Sequence, residues 1–532
     1  MRSARMIAAL AVTAGLLVPG MALTPPAHAA GSDFVVRTQS GLLQGKSAEG
    51  IDQWLGIPYA APPTGVLRWA PPAPMPRWGG IRQATAYGGR CAQLASGNGP
   101  RVDNEDCLYL NVYTPPGRRS LAGLPVLFMI HGGGLNTGAG DQHDGSLIVN
   151  TDHIIVVSIN YRLGPFGFLT IPVKGEGEAG GGSPLTASGN YGLLDQEAAL
   201  RWVHRNIASF GGDPEKVTID GESAGGWSVC ALMTSPLARG LFRGAIMQSG
   251  SCTDRSVTDA QSAGLAFAKQ AGCPDAATAV ACLRSLPEQT LLDASANYSA
   301  EFTSGGPELP VPAASAVASG KYNRVPLLMG DNHNEGRTFS QGFATQTQQQ
   351  ADQFVAQLYG ARSADILARY PWTSYPTPYT AAYMIGDIWT DSGFLSGIGG
   401  CATQNQAAVF AGRTPTFFYQ FDDLHAPGLN NDHPGYQWGA GHAMELAYLW
   451  PSFNNGFSLY DLLTPAQLQL SAEMVRYWGA FTAHGAPEVP GQPLWPRYAG
   501  GRLMSLRPGG QTQLITGGTY AAEHQCAFWN AG

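Results

Sequence analysis

Charge is what this chain has least of. Asp, Glu, Lys and Arg make up 13% of its 532 residues, the net balance is −7, and no basic stripe or polybasic tail occurs. Such a surface has little hold on phosphate backbones or anionic lipid, so nucleic acid and anionic membrane surfaces are poor candidate partners. Past the N-terminal segment no run has the length and apolarity of a transmembrane helix, so stable membrane insertion is not expected. The histidines lack His-Glu-x-x-His spacing and the cysteines lack Cys-x-x-Cys spacing, so no metal, no thiol redox centre and no cofactor is expected. Internal repeats and a clear linker are also missing, which makes one domain over residues 30–532 the simplest count.

Glycine and proline are plentiful at 69 and 38, which predicts many turns and long loops around an ordinary globular core, 44% of the residues being hydrophobic. The first residues, Met1-Arg-Ser-Ala-Arg5, are basic, an apolar run follows from Met6 to Val18, and Ala27-His-Ala29 has the small-x-small form of a cleavage site. Residues 1–29 therefore read as a secretory signal whose apolar stretch is too short to span a bilayer, and the mature protein is expected outside the cell. In an exported chain the even count of eight cysteines favours disulfides. Cys91 with Cys107 and Cys273 with Cys282 would each close a short loop, and Cys401 with Cys526 would tie down the C-terminus. Spacing alone does not fix these pairs, and it leaves Cys230 and Cys252 as either a fourth bridge or two buried thiols.

Short apolar runs alternate with helical patterns. Leu124–Ile130, Ile154–Ile159, Gly244–Gly250 and Val325–Met329 read as buried strands or strand ends, and 193–207 carries apolar residues at helical spacing. This alternation predicts an α/β fold whose central sheet is mostly parallel, with helices on both faces. Phe34–Gly45 reads as two short strands about a Ser-Gly turn.

One stretch gives the fold a chemical purpose. Val217-Thr-Ile219 leads into Gly221-Glu-Ser-Ala-Gly225, and a breaker-free segment follows to Met233, the strand, sharp turn and helix that expose a nucleophilic serine, Ser223. Glycines at 221 and 225 suit a turn that brings two backbones together. A serine hydroxyl is a poor nucleophile at neutral pH and needs a histidine to take its proton and a carboxylate to orient that histidine. Glu335, between Asn334 and Gly336, and His442, in Gly439-Ala-Gly-His442, follow in the chain order serine, acid, histidine. After the 124–130 strand, His131-Gly-Gly-Gly134 offers a loop able to aim backbone N–H groups at an oxyanion.

With these residues in hand the chain resembles the type-B carboxylesterase family of α/β-hydrolases, which includes the cholinesterases, bile-salt-activated and fungal lipases and bacterial carboxylesterases. The similarity runs from about Val35 to Trp529. It rests on Gly56-Ile-Pro-Tyr-Ala, Glu105-Asp-Cys-Leu-Tyr-Leu-Asn-Val-Tyr-Thr-Pro115, His131-Gly-Gly-Gly, Gly189-Asn-Tyr-Gly-Leu-Leu-Asp-Gln196, Phe210-Gly-Gly-Asp-Pro214, Gly221-Glu-Ser-Ala-Gly-Gly226 and Gln248-Ser-Gly-Ser251. The resemblance implies an α/β-hydrolase fold with large loop insertions. It also implies Ser223 as nucleophile, Glu335 as triad acid, and His442 as base and acid, with Gly133, Gly134 and Ala224 as oxyanion donors. Ser249 would support the acid and the histidine, and Glu222 would line the site without being the base. The pairs Cys91–Cys107, Cys273–Cys282 and Cys401–Cys526 gain support from the same source.

Three departures stand out. Asp220 occupies a place the family usually gives to a bulky apolar residue, to be satisfied by a neighbouring loop. Ala443 replaces the common glycine after the histidine. The loop between Cys91 and Cys107 is short and has no tryptophan, so choline esters are not the first expectation. Trp227, Phe302, Trp389, Phe394 and Trp438 are candidate pocket aromatics, His131 is expected to be structural, and His425 and His433 to lie at the surface.

The expectation is therefore a secreted serine carboxylesterase acting on small-molecule carboxylic esters through an acyl-enzyme on Ser223. The natural ester and the oligomeric state are left open. A lipase or sterol esterase for long-chain esters is the alternative, requiring an apolar lid. The loops at 174–189 and between Cys91 and Cys107 are the only candidates, and neither is notably apolar. A non-catalytic adhesion ectodomain is the remaining alternative, and the intact serine, acid and histidine argue against it.

Overall fold

The computed structural model describes residues 34–117, 123–172, 189–453 and 458–531. The expected signal at 1–29 and all but Gly189 of the loop at 174–189 lie outside the described residues, apart from which the strand and helix expectations can be followed element by element.

Among the described residues eleven strands form one sheet, labelled here in chain order: β1 (Lys46–Ala48), β2 (Ile51–Pro58), β3 (Tyr109–Thr114), β4 (Leu124–Ile130), β5 (Ile155–Ile159), β6 (Gly212–Glu222), β7 (Gly244–Gln248), β8 (Leu327–Asn332), β9 (Thr416–Phe421), β10 (Arg502–Leu506) and β11 (Gln513–Thr516). Their order across the sheet is β1-β2-β3-β5-β4-β6-β7-β8-β9-β10-β11. From β5 through β10 each neighbour runs parallel, and antiparallel strands flank this block at both ends. A separate small sheet pairs Val35–Arg37 with Leu42–Gln44, the two strands expected about the Ser-Gly turn.

The side-chain alternation along the strands explains why both faces need cover. In β4, Val126, Phe128 and Ile130 enter one core while Leu127 and Met129 enter the other. A β-strand sends successive side chains to opposite faces, so an unbroken apolar run demands a helix layer on each side. Helices Tyr191–Asn206, Ala224–Thr234 and Gly400–Ala411 cover the first face, and Ser146–Asp152 and Pro465–His484 the second. Helix Pro465–His484 has its limits written in sequence: Thr464 accepts from the Gln467 N–H in a capping box, Pro465 opens the first turn, and Gly485 closes the last at φ 72°.

All eight cysteines pair. Besides Cys91–Cys107, Cys273–Cys282 and Cys401–Cys526, Cys230 joins Cys252, tying helix Ala224–Thr234 to the segment after β7. Of the two alternatives for Cys230 and Cys252, the fourth bridge is the one adopted. It fastens together the two turns that meet at the site.

Candidate active site

The site gathers at the C-terminal ends of β4, β6, β7 and β8, where parallel strands leave a crevice for a ligand. At the end of β6 the chain turns through Ser223 at φ 57°, ψ −122°, a conformation that L-residues rarely adopt and that surrounding packing must hold. The turn is tight enough that a Cβ on Gly225 would stand 2.1 Å from the Ile130 carbonyl oxygen of β4. Ser223 donates its N–H to the Gln248 carbonyl at 3.0 Å, and its own carbonyl accepts from Trp227 in the helix that follows. The result is a serine 8% exposed on the wall of a cavity of about 450 Å³.

Glu335 sits in the turn after β8 and is fully buried. Its Oε1 accepts from the Asn332 N–H at 2.8 Å and from the Ser249 hydroxyl at 2.5 Å, and its Oε2 accepts from His442 Nδ1 at 2.6 Å. Both carboxylate oxygens are thus engaged, which fixes the ring of His442 in rotation. Ser249, just past β7, is itself at φ 44°. The Phe339 ring leans on the imidazole with centroids 4.9 Å apart, and Thr338 donates its hydroxyl to the His442 carbonyl.

The other ring nitrogen, Nε2, lies 3.1 Å from Glu222 Oε1, within ion-pair distance but outside hydrogen-bond geometry. Burial alone would disfavour the imidazolium, but Glu222 first, and then Glu335 and Glu445, outweigh it and raise His442 from 6.5 to about 9. Glu222 is pushed well above its ordinary value by burial, with Glu445 and Glu335 adding to the rise against the pull of His442. The two groups stand close enough that the protonation of each depends on the other. Glu445 is buried behind them and pushed up to about 7, by burial and then by Glu335, while Asn332 Nδ2 donates to its Oε2 at the short distance of 2.5 Å.

Gly133 and Gly134 border the cavity at φ 97° and 62°. The Gly133 carbonyl is turned away to accept from the N–H groups of Asn136 and Thr137, and the Gly134 carbonyl accepts from Asn136 Nδ2. Their own N–H groups donate to no described residue. Ala224 opens its helix, so its N–H is one of those without a partner inside the helix. Apolar side chains, among them Trp227, Leu395, Ile398, Leu446 and Phe453, line most of the remaining wall, and Gly97 and Asn98 of the short disulfide loop complete it.

The sequence profile of the carboxylesterase family matches residues 32–529. The chain belongs to the carboxylesterase family. It is 35% identical over 482 residues to a cocaine esterase of Homo sapiens, an alignment covering 84% of this chain and 82% of that one. It is 33% identical over 488 residues to the para-nitrobenzyl esterase of Bacillus subtilis strain 168, covering 87% and 92%. Among solved structures, a carboxylesterase of Geobacillus stearothermophilus superposes with a TM-score of 0.76 at 30% identity, over 93% of this chain and 99% of the other. The chain is accordingly a carboxylic ester hydrolase of the α/β-hydrolase fold.

In this esterase the structure brings Ser223, His442 and Glu222 to one cavity, with Glu335 and Ser249 behind His442. Of the five aromatics proposed for the pocket, only Trp227 lines it. Trp389 and Phe394 stack on each other at 5.6 Å, Phe302 packs edge-on against Phe168, and Trp438 meets Tyr436. Phe302, Trp389 and Trp438 are buried against these neighbours, while Phe394 stands 45% exposed outside the cavity. Asp220 is met not by a loop but by Gln248 of the adjacent β7, whose Nε2 donates to Oδ1 at 2.9 Å, while Oδ2 has no hydrogen-bond partner among the described residues. Burial pushes the Asp220 carboxyl up to about 7, with Gln248 drawing it partly back.

His131 stacks on Tyr161 as a buried structural ring, though it also borders the cavity; His425 is exposed and His433 half-buried. Sequence reasoning passed over Phe339, Glu445 and His143. Glu445 stood three residues past His442 and carried a signal in that proximity; Phe339 and His143 carried none.

Proposed function

We propose that this carboxylesterase hydrolyses small, uncharged carboxylic esters through an acyl-enzyme on Ser223, with His442 and Glu335 completing the triad. The observation that carries the reading is the 2.6 Å contact from Glu335 to His442 Nδ1, which leaves Nε2 on the side of the cavity that holds Ser223. His442 Nε2 takes the Ser223 proton as Oγ bonds to the ester carbonyl carbon. The oxyanion so formed accepts from the N–H groups of Gly133, Gly134 and Ala224. The carbon–oxygen bond then breaks, and the alkoxide leaves with the proton from Nε2. Water repeats the sequence: Nε2 takes its proton, the hydroxide attacks the acyl carbon, and Ser223 regains its proton as the acid departs. Glu222 stabilises the imidazolium formed in each half.

The test is hydrolysis of a short-chain aryl ester by the mature protein beside Ser223→Ala, which is expected to lose at least about a thousandfold in kcat/KM. Equal rates in the two would remove Ser223 from the mechanism. A cavity of about 450 Å³ favours small esters, so rates across an acyl series are expected to peak at short chains, whereas a lipase would gain with length. Export is part of the proposal. The four disulfides support it, and the mature chain recovered from medium is expected to begin at Ala30.

A further inference from the structure

His143 follows the short 3-10 turn Gly140–Gln142 and lines the same cavity as Ser223 and His442. Its side chain is polar and yet 2% exposed, and neither Nδ1 nor Nε2 has a hydrogen-bond partner among the described residues. Burial, and then the His131 ring, hold it down to about 3, the Ala139 carbonyl pulling weakly the other way, so the ring is neutral at any working pH. Its setting is firm. The His143 N–H donates to the Gly140 carbonyl, the ring stands edge-on to Trp450 at 5.4 Å, and Phe453 lies 6.2 Å away.

The oxygens of neighbouring Gln142 are committed to the fold. Its Oε1 accepts from the Ala139 N–H and its carbonyl from the Ser452 hydroxyl. His143 is buried on the cavity wall with neither ring nitrogen in a hydrogen bond among the described residues, as Trp227 Nε1 also is, at a desolvation cost that the fold does not recover.

The place of His143 in the cavity indicates which half of an ester it meets. The departing oxygen must lie by His442 Nε2 to receive its proton. The segment that carries His442 continues through Ala443 and Leu446 to Phe453, all on the cavity wall, and Phe453 is the ring beside His143. His143 therefore belongs to the wall facing the leaving alcohol. We propose that His143 is a specificity-determining residue that pairs with an uncharged hydrogen-bonding group, a hydroxyl above all, on the alcohol half of the ester. The substrate class this implies is a partial ester of a polyol rather than a simple alkyl ester. A neutral ring brings no charge of its own to offset an ion's lost hydration, and Glu222 in the same cavity disfavours an anion. The inference rests on the ester-hydrolase reading of Ser223.

The test compares two butyrates with the same three-carbon alcohol skeleton, glycerol monobutyrate and propyl butyrate, in the mature wild type, His143→Phe and His143→Gln. The wild type is expected to favour the glyceryl ester by about tenfold or more in kcat/KM. His143→Phe should cut that ratio by about tenfold, and His143→Gln, which keeps a donor and an acceptor, should retain part of it. The ratio should be flat between pH 6 and pH 9. A wild type without preference overturns the proposal, as does a His143→Phe ratio equal to wild type or a parallel fall on both esters, the mark of a packing defect. His143→Leu serves if the phenylalanine variant does not fold. Residual hydrolysis of both esters by Ser223→Ala would instead defeat the underlying reading, so the two failures are separable.

Discussion

Two buried histidines in this molecule are built almost alike. His442 Nδ1 meets Glu335 at 2.6 Å, and His524 Nδ1 meets Asp391 Oδ1 at 2.8 Å; the rings are 5% and 2% exposed. Each is followed by a non-glycine residue in the left-handed region, Ala443 at φ 66° and Gln525 at φ 55°. The difference lies at the second nitrogen. His524 Nε2 accepts from the Gln420 amide at 2.7 Å, and the other oxygen of Asp391 accepts from the Tyr370 hydroxyl, so every polar atom of that pair is engaged. His442 Nε2 has no such partner and faces Glu222 and the cavity of Ser223. A histidine–carboxylate pair with both ring nitrogens bonded is a fastening, whereas one with a nitrogen left facing a cavity is the arrangement that the proposed mechanism uses.

The sharpest way to break this comparison is to exchange the consequences. His442→Asn is expected to lower kcat/KM by about three orders of magnitude or more, with the thermal midpoint close to wild type. His524→Leu should do the reverse. It leaves Asp391 Oδ1 and Gln420 Nε2 unpaired in the interior, a loss of about 2–4 kcal/mol in stability, with activity per folded molecule within a few-fold of wild type. Urea unfolding and initial rates on the same preparations decide it; a His524→Leu protein that is stable but inactive would merge the two pairs into one network.

Sequence distance explains which of these features were legible beforehand. The turn at Ser223 declares itself locally, because β-branched residues, two glycines and a breaker-free helix stand within seventeen positions, and the strand backbones leave no other residue type at 225. The parallel order of the sheet follows from apolar runs separated by helices for the same local reason. Asp220 is different. Its partner Gln248 is set by the register of β6 against β7, a property of two strands 28 residues apart. Trp389 differs from the expected pocket aromatic in the same manner, since it is buried against Phe343, Phe354 and Phe394. The pairing of Cys230 with Cys252 and the unbonded state of His143 likewise depend on which turns the fold brings together.

A subtler test addresses the charge around His442 alone. In the proposed mechanism the imidazole must be neutral to take a proton from Ser223, so with His442 raised to about 9 activity is expected to rise with pH through the acid limb and to be suppressed below it. Glu222 is the largest of the influences that raise it. Glu222→Gln is expected to move the acid limb of kcat/KM to lower pH by about one unit or more, as the imidazolium loses a neighbouring anion. The pH profile between 5 and 10 checks this. A limb that stays in place would mean that Glu335 and Glu445 alone set the titration, and that Glu222 lies nearby without coupling to the ring.

The smallest expected effect concerns the strain shared by the two histidine segments. Alanine at positive φ costs about 1–2 kcal/mol relative to its usual regions, while glycine returns roughly half to one of that through the greater freedom of the unfolded chain. Ala443→Gly should therefore stabilise the protein by no more than about 1 kcal/mol, read as a shift of the urea midpoint at constant slope. A loss of more than about 1 kcal/mol would show that the Ala443 methyl, nearly buried on the cavity wall, contributes packing that outweighs its backbone strain. In that case the departure from glycine beside His442 is a matter of cavity shape, and alanine there acts on the pocket through its methyl rather than on the backbone through its conformation.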